Sequence, residues 1–254
     1  MNRVHRGELG GFSGLLTPLA IPASSDADVL WAWLESLLRA EADVEGLFYL
    51  AYPVGDAGGS PEELVERAIW KTNYPQHYLD ALYGNPLTDD RSAKHVLETG
   101  ETSRWHDPVE HARMTPGEKR RARIDAEHGM SVGACYPIFN VAGRICGGFG
   151  LRSASQDPKR FDAILDAYGD QIAHLLIAFE ARFRGPFART VFKLSPQEQK
   201  VLAHVAGGMA ADRTAHALNL KPKTVEAYLR SVRTKTLSMN TAEAVAKAIF
   251  FNLV

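Results

Sequence analysis

Apolar residues recur every third or fourth position along DADVLWAWLESLLRAEADV, where Val29, Leu30, Trp33, Leu37 and Leu38 share one face behind a Ser/Asp start. That period predicts an amphipathic helix from Asp26. The pattern then changes: GLFYLAYP (46–53) is dense in apolar and aromatic residues and LVERAIWKT (64–72) alternates, with Gly-Gly-Ser-Pro (58–61) between them. Two strands are expected there. In YPQHYLDAL, Pro75 suits a first helical turn and Tyr74, Tyr78 and Leu82 fall on one face, before Gly84-Asn85-Pro86 breaks the chain. KHVLETGETSRW (94–105) predicts a short helix, and PGEKRRARIDAEHG (116–129) a longer one stopped by Gly129. SVGACYPIFN and ICGGFGLRS predict a hairpin across the turn Val141 to Arg144, whose glycines leave room for a close neighbour. A stripe of Phe161, Ile164, Leu165, Tyr168, Ile172, Leu175, Leu176, Phe179 and Phe183 predicts a long helix over 161–183. Strands between helices imply an α/β fold, an α/β/α sandwich on an antiparallel sheet.

From Leu194 onward the period is helical throughout. Breaks near Gly207-Gly208, Asn219-Leu220 and Ser238-Met239-Asn240 divide the stretch into four short helices, an all-α unit. Ser195-Pro196 with Glu198 has the form of a capped start, and Thr241 opens the last helix ahead of Val245, Ile249 and Leu253. The expected organisation is a mobile arm over 1–25, an α/β domain over 26–184, a linker GPFARTVFK (185–193) and a helical domain over 194–254.

Charge divides along the same boundary. The formal net charge is -1, but residues 1–185 hold 19 Lys and Arg against 26 Asp and Glu, while 186–254 hold 10 against 4. A small basic unit on an acidic partner domain points to an anionic partner for the tail. In KTVEAYLRSVRTK, burying Val225, Leu229 and Val232 turns Lys223, Glu226, Arg230, Arg233 and Lys235 outward. A helix fits the DNA major groove, and arginine can donate two hydrogen bonds to a guanine edge. With 254 residues, two cysteines and no apolar run long enough for a bilayer, the chain is expected to be a cytoplasmic protein without a disulfide framework or membrane contact.

Leu194, Glu198, Leu202, Gly208, Thr224-Val225 and Leu229 fall in register with the LuxR-type helix-turn-helix of bacterial transcription regulators, which the last sixty or so residues resemble. The resemblance implies double-stranded DNA as partner, a palindromic operator and a homodimer. It places Arg230 at a base-reading position, Glu226 at one that is often basic, and Thr224 within the recognition helix. Lys221, Lys223, Arg233 and Lys235 are read as phosphate contacts. Residues 26–183 resemble, more weakly, the acyl-homoserine-lactone-binding domain of quorum-sensing regulators. Tyr74 with Pro75, Asp90, Trp105 and Gly133 take the places of that family's motif. There the Asp accepts the ligand amide N–H, the Tyr donates to the acyl carbonyl and a Trp indole donates to the lactone carbonyl. Four positions depart: Tyr78 stands where the indole is expected, Leu82 where a second Tyr is, Arg91 where a Pro follows the Asp, and Gly150 where a hydroxyl residue is common. The expected ligand set is Tyr74, Tyr78, Leu82, Asp90, Trp105, Gly133 and Gly150. An acyl-homoserine lactone, a related compound, a non-lactone ligand and no ligand all stay open.

Plainer roles compete for several of these residues. Tyr74, Tyr78 and Trp105 are equally suited to a core, and Asp90 to capping a helix. His106, Asp107, Glu110 and His111 look like metal ligands, but a five-residue His spacing does not align both rings on one helix face, so no metal or other cofactor is expected. If Asn140 pairs near Ile145, Cys135 lies opposite the region of Phe149 and forms no bridge to Cys146. No acyl-transfer site assembles around Cys135 and His128, and the chain is expected not to be an enzyme. A phosphorylation-driven response regulator is disfavoured, because the acidic pair, phosphoacceptor Asp and later Lys of a receiver are missing. The stripe over 161–183 and the set Val245, Ile249, Leu253 are expected to form a homodimer contact.

Overall fold

Helix α1 (Ala27–Glu41) starts where the Asp26 carboxylate accepts from the backbone N–H groups of Asp28 and Val29. The computed structural model describes residues 20–53, 67–82 and 89–254. Most of the expected arm, the Gly-Gly-Ser-Pro turn, residues 64–66 of the expected second strand and the Gly84-Asn85-Pro86 break lie outside the described residues. The inward face of α1 carries Leu30, Trp31, Leu34, Leu37 and Leu38, and Val29 is 51% exposed. The face is thus rotated from the expected one. Trp31 packs against Phe183 at 5.6 Å and Trp33 lies half-buried on Phe179 at 6.3 Å, so contacts with a neighbouring helix set the rotation.

Five strands, β1 (Val44–Ala51), β2 (Ile69–Thr72), β3 (Ser103–Arg104), β4 (Gly133–Phe139) and β5 (Ile145–Ser153), form an antiparallel sheet in the order β2-β1-β5-β4-β3. The predicted hairpin is β4-β5, closed where the Asn140 N–H bonds Arg144 O. Cys135 pairs with Gly150, one residue from the expected Phe149, and both thiols are free. Strand alternation sorts the two faces. Leu47, Tyr49, Ala134, Tyr136, Phe149 and Leu151 are buried in the core with α1, whereas Phe48, Cys135 and Gly150 share a register row on the other face. Over that second face lie α2 (Gln76–Ala81), α3 (Arg91–Thr99), α4 (Pro108–Arg113) and α5 (Pro116–Glu127). Helix α3 starts and ends earlier than expected, at Gly100 with φ 73°, and the chain then enters β3.

Helix α6 (Pro158–Phe192) overturns two expectations. Its stripe from Phe161 to Phe183 is core, with only Tyr168 half-buried, so it offers no dimer face. The expected linker is helix as far as Phe192, with Pro186 inside it. Phe183, Phe187, Ala188 and Phe192 continue the apolar period, and stacked rings at 5.0 Å (Phe179–Phe183) and 5.1 Å (Phe183–Phe187) hold the helix where proline removes a hydrogen bond.

Four helices follow as expected: α7 (Pro196–Ala206), α8 (Ala211–Ala217), α9 (Pro222–Lys235) and α10 (Thr241–Phe250). Ser195 and Glu198 form a capping box, and Asn240, one residue before Thr241, caps α10. The buried Lys247 ammonium donates to the carbonyls of Thr236 and Leu237, satisfying the end of α9. The helical unit joins the rest through α6. Arg184 Nη1 donates to Phe250 O at 3.0 Å, Arg189 to Asn252 O at 3.1 Å, and Phe192 meets Phe251 at 5.3 Å. Leu253 is buried and Val245 half-buried, leaving Ile249, at 58%, as the exposed member of the expected stripe. Among the described residues no helix is long and apolar enough to cross a membrane.

Candidate functional site

A cavity of about 1080 Å³ opens between the second face of the sheet and helices α2, α3 and α5. Tyr74, Tyr78, Leu82, Asp90, Trp105 and Gly150 all line it, although they come from four separate segments. Gly133 is the exception. A Cβ there would run into the Trp105 ring and Leu151 O, so its bare backbone seats the indole against the sheet. The Trp105 N–H donates to Cys135 Sγ at 3.1 Å.

The Tyr74 ring sits among Phe48, Tyr78 and Trp105, with centroids 6.0 to 6.5 Å away. Its hydroxyl is buried and has no hydrogen-bond partner among the described residues. Burial raises its pKa well above the ordinary tyrosine value, with Cys135, Tyr78 and Asp90 adding to the rise, so it stays protonated and can donate. A Cβ at Gly150 would stand 2.8 Å from this oxygen. The glycine therefore lets the Tyr74 hydroxyl occupy the space that a hydroxyl-bearing side chain would need.

Tyr78 does not stand in for an indole donor. Its hydroxyl donates to Asp125 Oδ1 at 2.7 Å and accepts from Arg121 Nη2 at 3.1 Å, while Arg121 Nε bonds the same Asp125 oxygen at 2.9 Å. Asp125 and Arg121 stand one helical turn apart on α5, and the Arg121 side chain is 8% exposed. Burial lifts the Asp125 carboxyl above its usual range against the pull of Arg121. Asp90 serves as both cap and wall: Oδ1 accepts from the Ala93 N–H at 3.0 Å, and Oδ2 lies 3.5 Å from Arg121 Nη2. That second contact is long and weak, which leaves the oxygen able to accept from another group. Leu82 brings only apolar surface. The lining also presents apolar surface from Phe48, Leu50, Trp70, Val96, Leu97 and Ile145.

The His106 set is dispersed among other partners: Nε2 of His106 on Asp162, Asp107 on the Val109 N–H, Glu110 on Arg91, and His111 on Trp105 O. Burial pushes the Cys135 thiol up to about 12, so no thiolate nucleophile forms at neutral pH.

On α9, Val225 and Val232 are buried and Leu229 half-buried, so Lys223, Glu226 and Arg230 stand exposed one turn apart, with Lys221 exposed at the N-cap. Thr224 and Arg233 are half-buried at the margins. Lys235 departs from its expected phosphate role: Nζ donates to Glu198 Oε2 at 2.7 Å and to Lys193 O at 3.1 Å. Ser231 Oγ donates to the other Glu198 oxygen at 2.6 Å. Burial opposes ionisation of Glu198, but the hydrogen bonds from Lys235, Ser231 and Ser195 outweigh it and hold its pKa at about 2.

Residues 193–248, which contain α9 and the Glu198 cluster, match the GerE family, "Bacterial regulatory proteins, luxR family". The chain carries a LuxR-type DNA-binding domain. Solved structures also align with the chain beyond that domain. Escherichia coli SdiA is 17% identical, with a TM-score of 0.50 over 92% of this chain and 94% of its own. A structure of SdiA in complex with octanoyl-rac-glycerol is 14% identical, with a TM-score of 0.51 over 92% and 91%. CepR2 from Burkholderia cenocepacia, described as an N-acylhomoserine lactone dependent LuxR family factor, is 17% identical with a TM-score of 0.47 over 68% and 91%. No curated protein sequence matches the chain.

Among the polar groups that line the cavity, Arg121, Asp125 and Cys135 were not anticipated. Arg121 and Asp125 belong to a charged helix whose pattern marks no inward face, and their i, i+4 spacing was the available signal. Cys135 was legible as a strand position on the row of Gly150, but the sequence suggests it only for a disulfide or as an acyl-transfer nucleophile, not as a cavity wall.

Proposed function

We propose that this LuxR-type regulator is controlled by a small amphiphilic molecule held in the cavity, and that it binds paired DNA half-sites as a cytoplasmic homodimer. One observation carries the ligand: the buried, protonated and unpartnered Tyr74 hydroxyl at the wall of a cavity of about 1080 Å³. A buried hydroxyl without a partner costs on the order of 1–3 kcal/mol, which an acceptor on a ligand recovers. The long apolar wall suits an acyl chain, and Asp90 Oδ2 suits a head-group donor such as an amide N–H or a hydroxyl. Acyl-homoserine lactones belong to this class, but the lactone carbonyl finds no donor in Tyr78, whose proton goes to Asp125. The octanoyl-rac-glycerol in SdiA is an acyl amphiphile of the same kind, bound by a protein of the same fold.

A molecule bound only to the native state stabilises the sheet domain by linkage and so favours the DNA-binding form. On α9, Arg230 would read a base edge and Lys223 and Lys221 would contact phosphates. Exposed Ile249 with half-buried Val245 on α10 offers the helical unit a self-complementary contact. The test is mass spectrometry of a solvent extract from the purified full chain, with Tyr74→Phe as comparison. One stoichiometric amphiphile per chain, depleted in the variant, is expected. An extract empty after growth in the native organism, together with no melting-temperature rise from acyl amides, acyl glycerols or acyl lactones, would overturn the ligand.

A further inference from the structure

We infer that the Asp90–Arg121–Asp125 cluster makes the cavity a charge filter, admitting uncharged amphiphiles and rejecting those with a carboxylate head; this rests on the cavity being the ligand site. Two carboxylates face one guanidinium: Asp125 at 2.9 Å and Asp90 at 3.5 Å from Arg121. The Nε and Nη2 donors of Arg121 are directed to Asp125 and Tyr78, so two carboxylates share one cation of which Nη1 alone is left. The cluster therefore presents a surplus negative charge to the polar end of the cavity. The surroundings do not offset it. Among the described lining residues carboxylates outnumber Lys and Arg five to three; setting aside the Lys94–Glu118 pair, and Arg91 held by Glu110 outside the lining, leaves four carboxylates and Arg121. Next to the cluster stand three neutral groups, the Tyr74 hydroxyl, the Trp105 indole held on Cys135, and the Tyr78 hydroxyl.

An anionic head beside Tyr74 and Asp90 would be stripped of water next to this surplus, with the neutral Tyr74 hydroxyl as its donor there. Burying an unpaired charge is far costlier than burying an amide or ester that is hydrogen-bonded. An uncharged head with one acceptor and one donor meets Tyr74 and Asp90 without that cost. Asp125 is then a specificity-determining residue that acts through Arg121 and the field of the cluster, without touching the ligand.

The experiment compares N-octanoylglycinamide with N-octanoylglycinate, which match in chain and heavy-atom count and differ in charge. Their affinities for the full chain are read by thermal shift and by Trp fluorescence at neutral pH. In the wild type the amide is expected to bind at least about tenfold more tightly than the carboxylate. Asp125→Asn, which removes charge while keeping a similar shape, should shrink that ratio to about threefold or less. Tyr78→Phe, which keeps both carboxylates, should preserve it. Should Asp125→Asn fail to fold, Asp90→Asn makes the same charge change at a helix cap that asparagine also fills well. Equal or tighter carboxylate binding by the wild type overturns the filter and leaves the ligand cavity standing. An unchanged ratio in both charge variants also overturns it, and binding of neither probe overturns the filter while the ligand reading is decided by the extract and by the acyl glycerols and acyl lactones.

Discussion

Tyr74 separates a ligand wall from an ordinary core residue, because the two roles predict opposite signs. In a core with no ligand, removing a buried hydroxyl that lacks a partner relieves a penalty, so Tyr74→Phe should leave the free protein unchanged or about 1 kcal/mol more stable. The same variant should lose most of the stabilisation that an acyl amide confers. Urea unfolding with and without ligand reads both; a loss of stability in the free protein would mean that the hydroxyl has an internal partner after all. Glu198 supplies a pH signature at this scale. Its pKa is depressed to about 2 from an ordinary 4.5, so its contribution is complete above 4.5 and fades as pH falls toward 2. Glu198→Gln should therefore destabilise the chain by about 2 kcal/mol at pH 7, and the gap to wild type should narrow below pH 4.5. A gap that stays constant from pH 7 down to pH 3 would contradict the Lys235–Glu198–Ser231 cluster.

The same residues divide what pattern can and cannot reveal about elements. Strands β1, β4 and β5 and helices α7 to α10 were legible because apolar period and turn residues agree there. Gly133 and Gly150 were recognisable as positions of close approach, and Trp105 and Tyr74 fill those spaces. The wall role of α5 was not legible, since a helix as charged as PGEKRRARIDAE buries Arg121 only because Asp90 and Tyr78, from distant segments, meet it. Helix α6 shows the converse error: Gly185-Pro186 reads as a break, yet Phe183, Phe187 and Phe192 carry the helix across it. Residues 185–192 should thus resist limited proteolysis in the full chain. Arg184→Ala removes the bond to Phe250 O and leaves the buried Glu180 without its cation, at a cost of about 3–5 kcal/mol. Cleavage within 185–192 should appear in that variant first, and equal cleavage in the wild type would show a linker where helix is described.

At the scale of the whole molecule, the sheet domain, the long helix and the DNA-binding helices share one core cluster, so the cavity and α9 belong to one folded body. Exposed Lys223 and Arg230 give its DNA end two distinct expectations. Arg230→Ala should cost about 1–3 kcal/mol on the preferred operator and relax sequence preference, whereas Lys223→Ala should weaken all duplexes alike and flatten the salt dependence. Uniform losses in both would remove Arg230 from base reading. Control by a ligand requires a coupling free energy between cavity and DNA, and that coupling is reciprocal. It is tested most directly by fluorescence anisotropy of a duplex selected by the full chain from a random pool, titrated with protein in the presence and absence of saturating N-octanoylglycinamide. A shift of the DNA affinity by about tenfold or more, lost in Tyr74→Phe, is the predicted result. Superimposable curves, with the amide shown to be bound where it is present, would contradict ligand control.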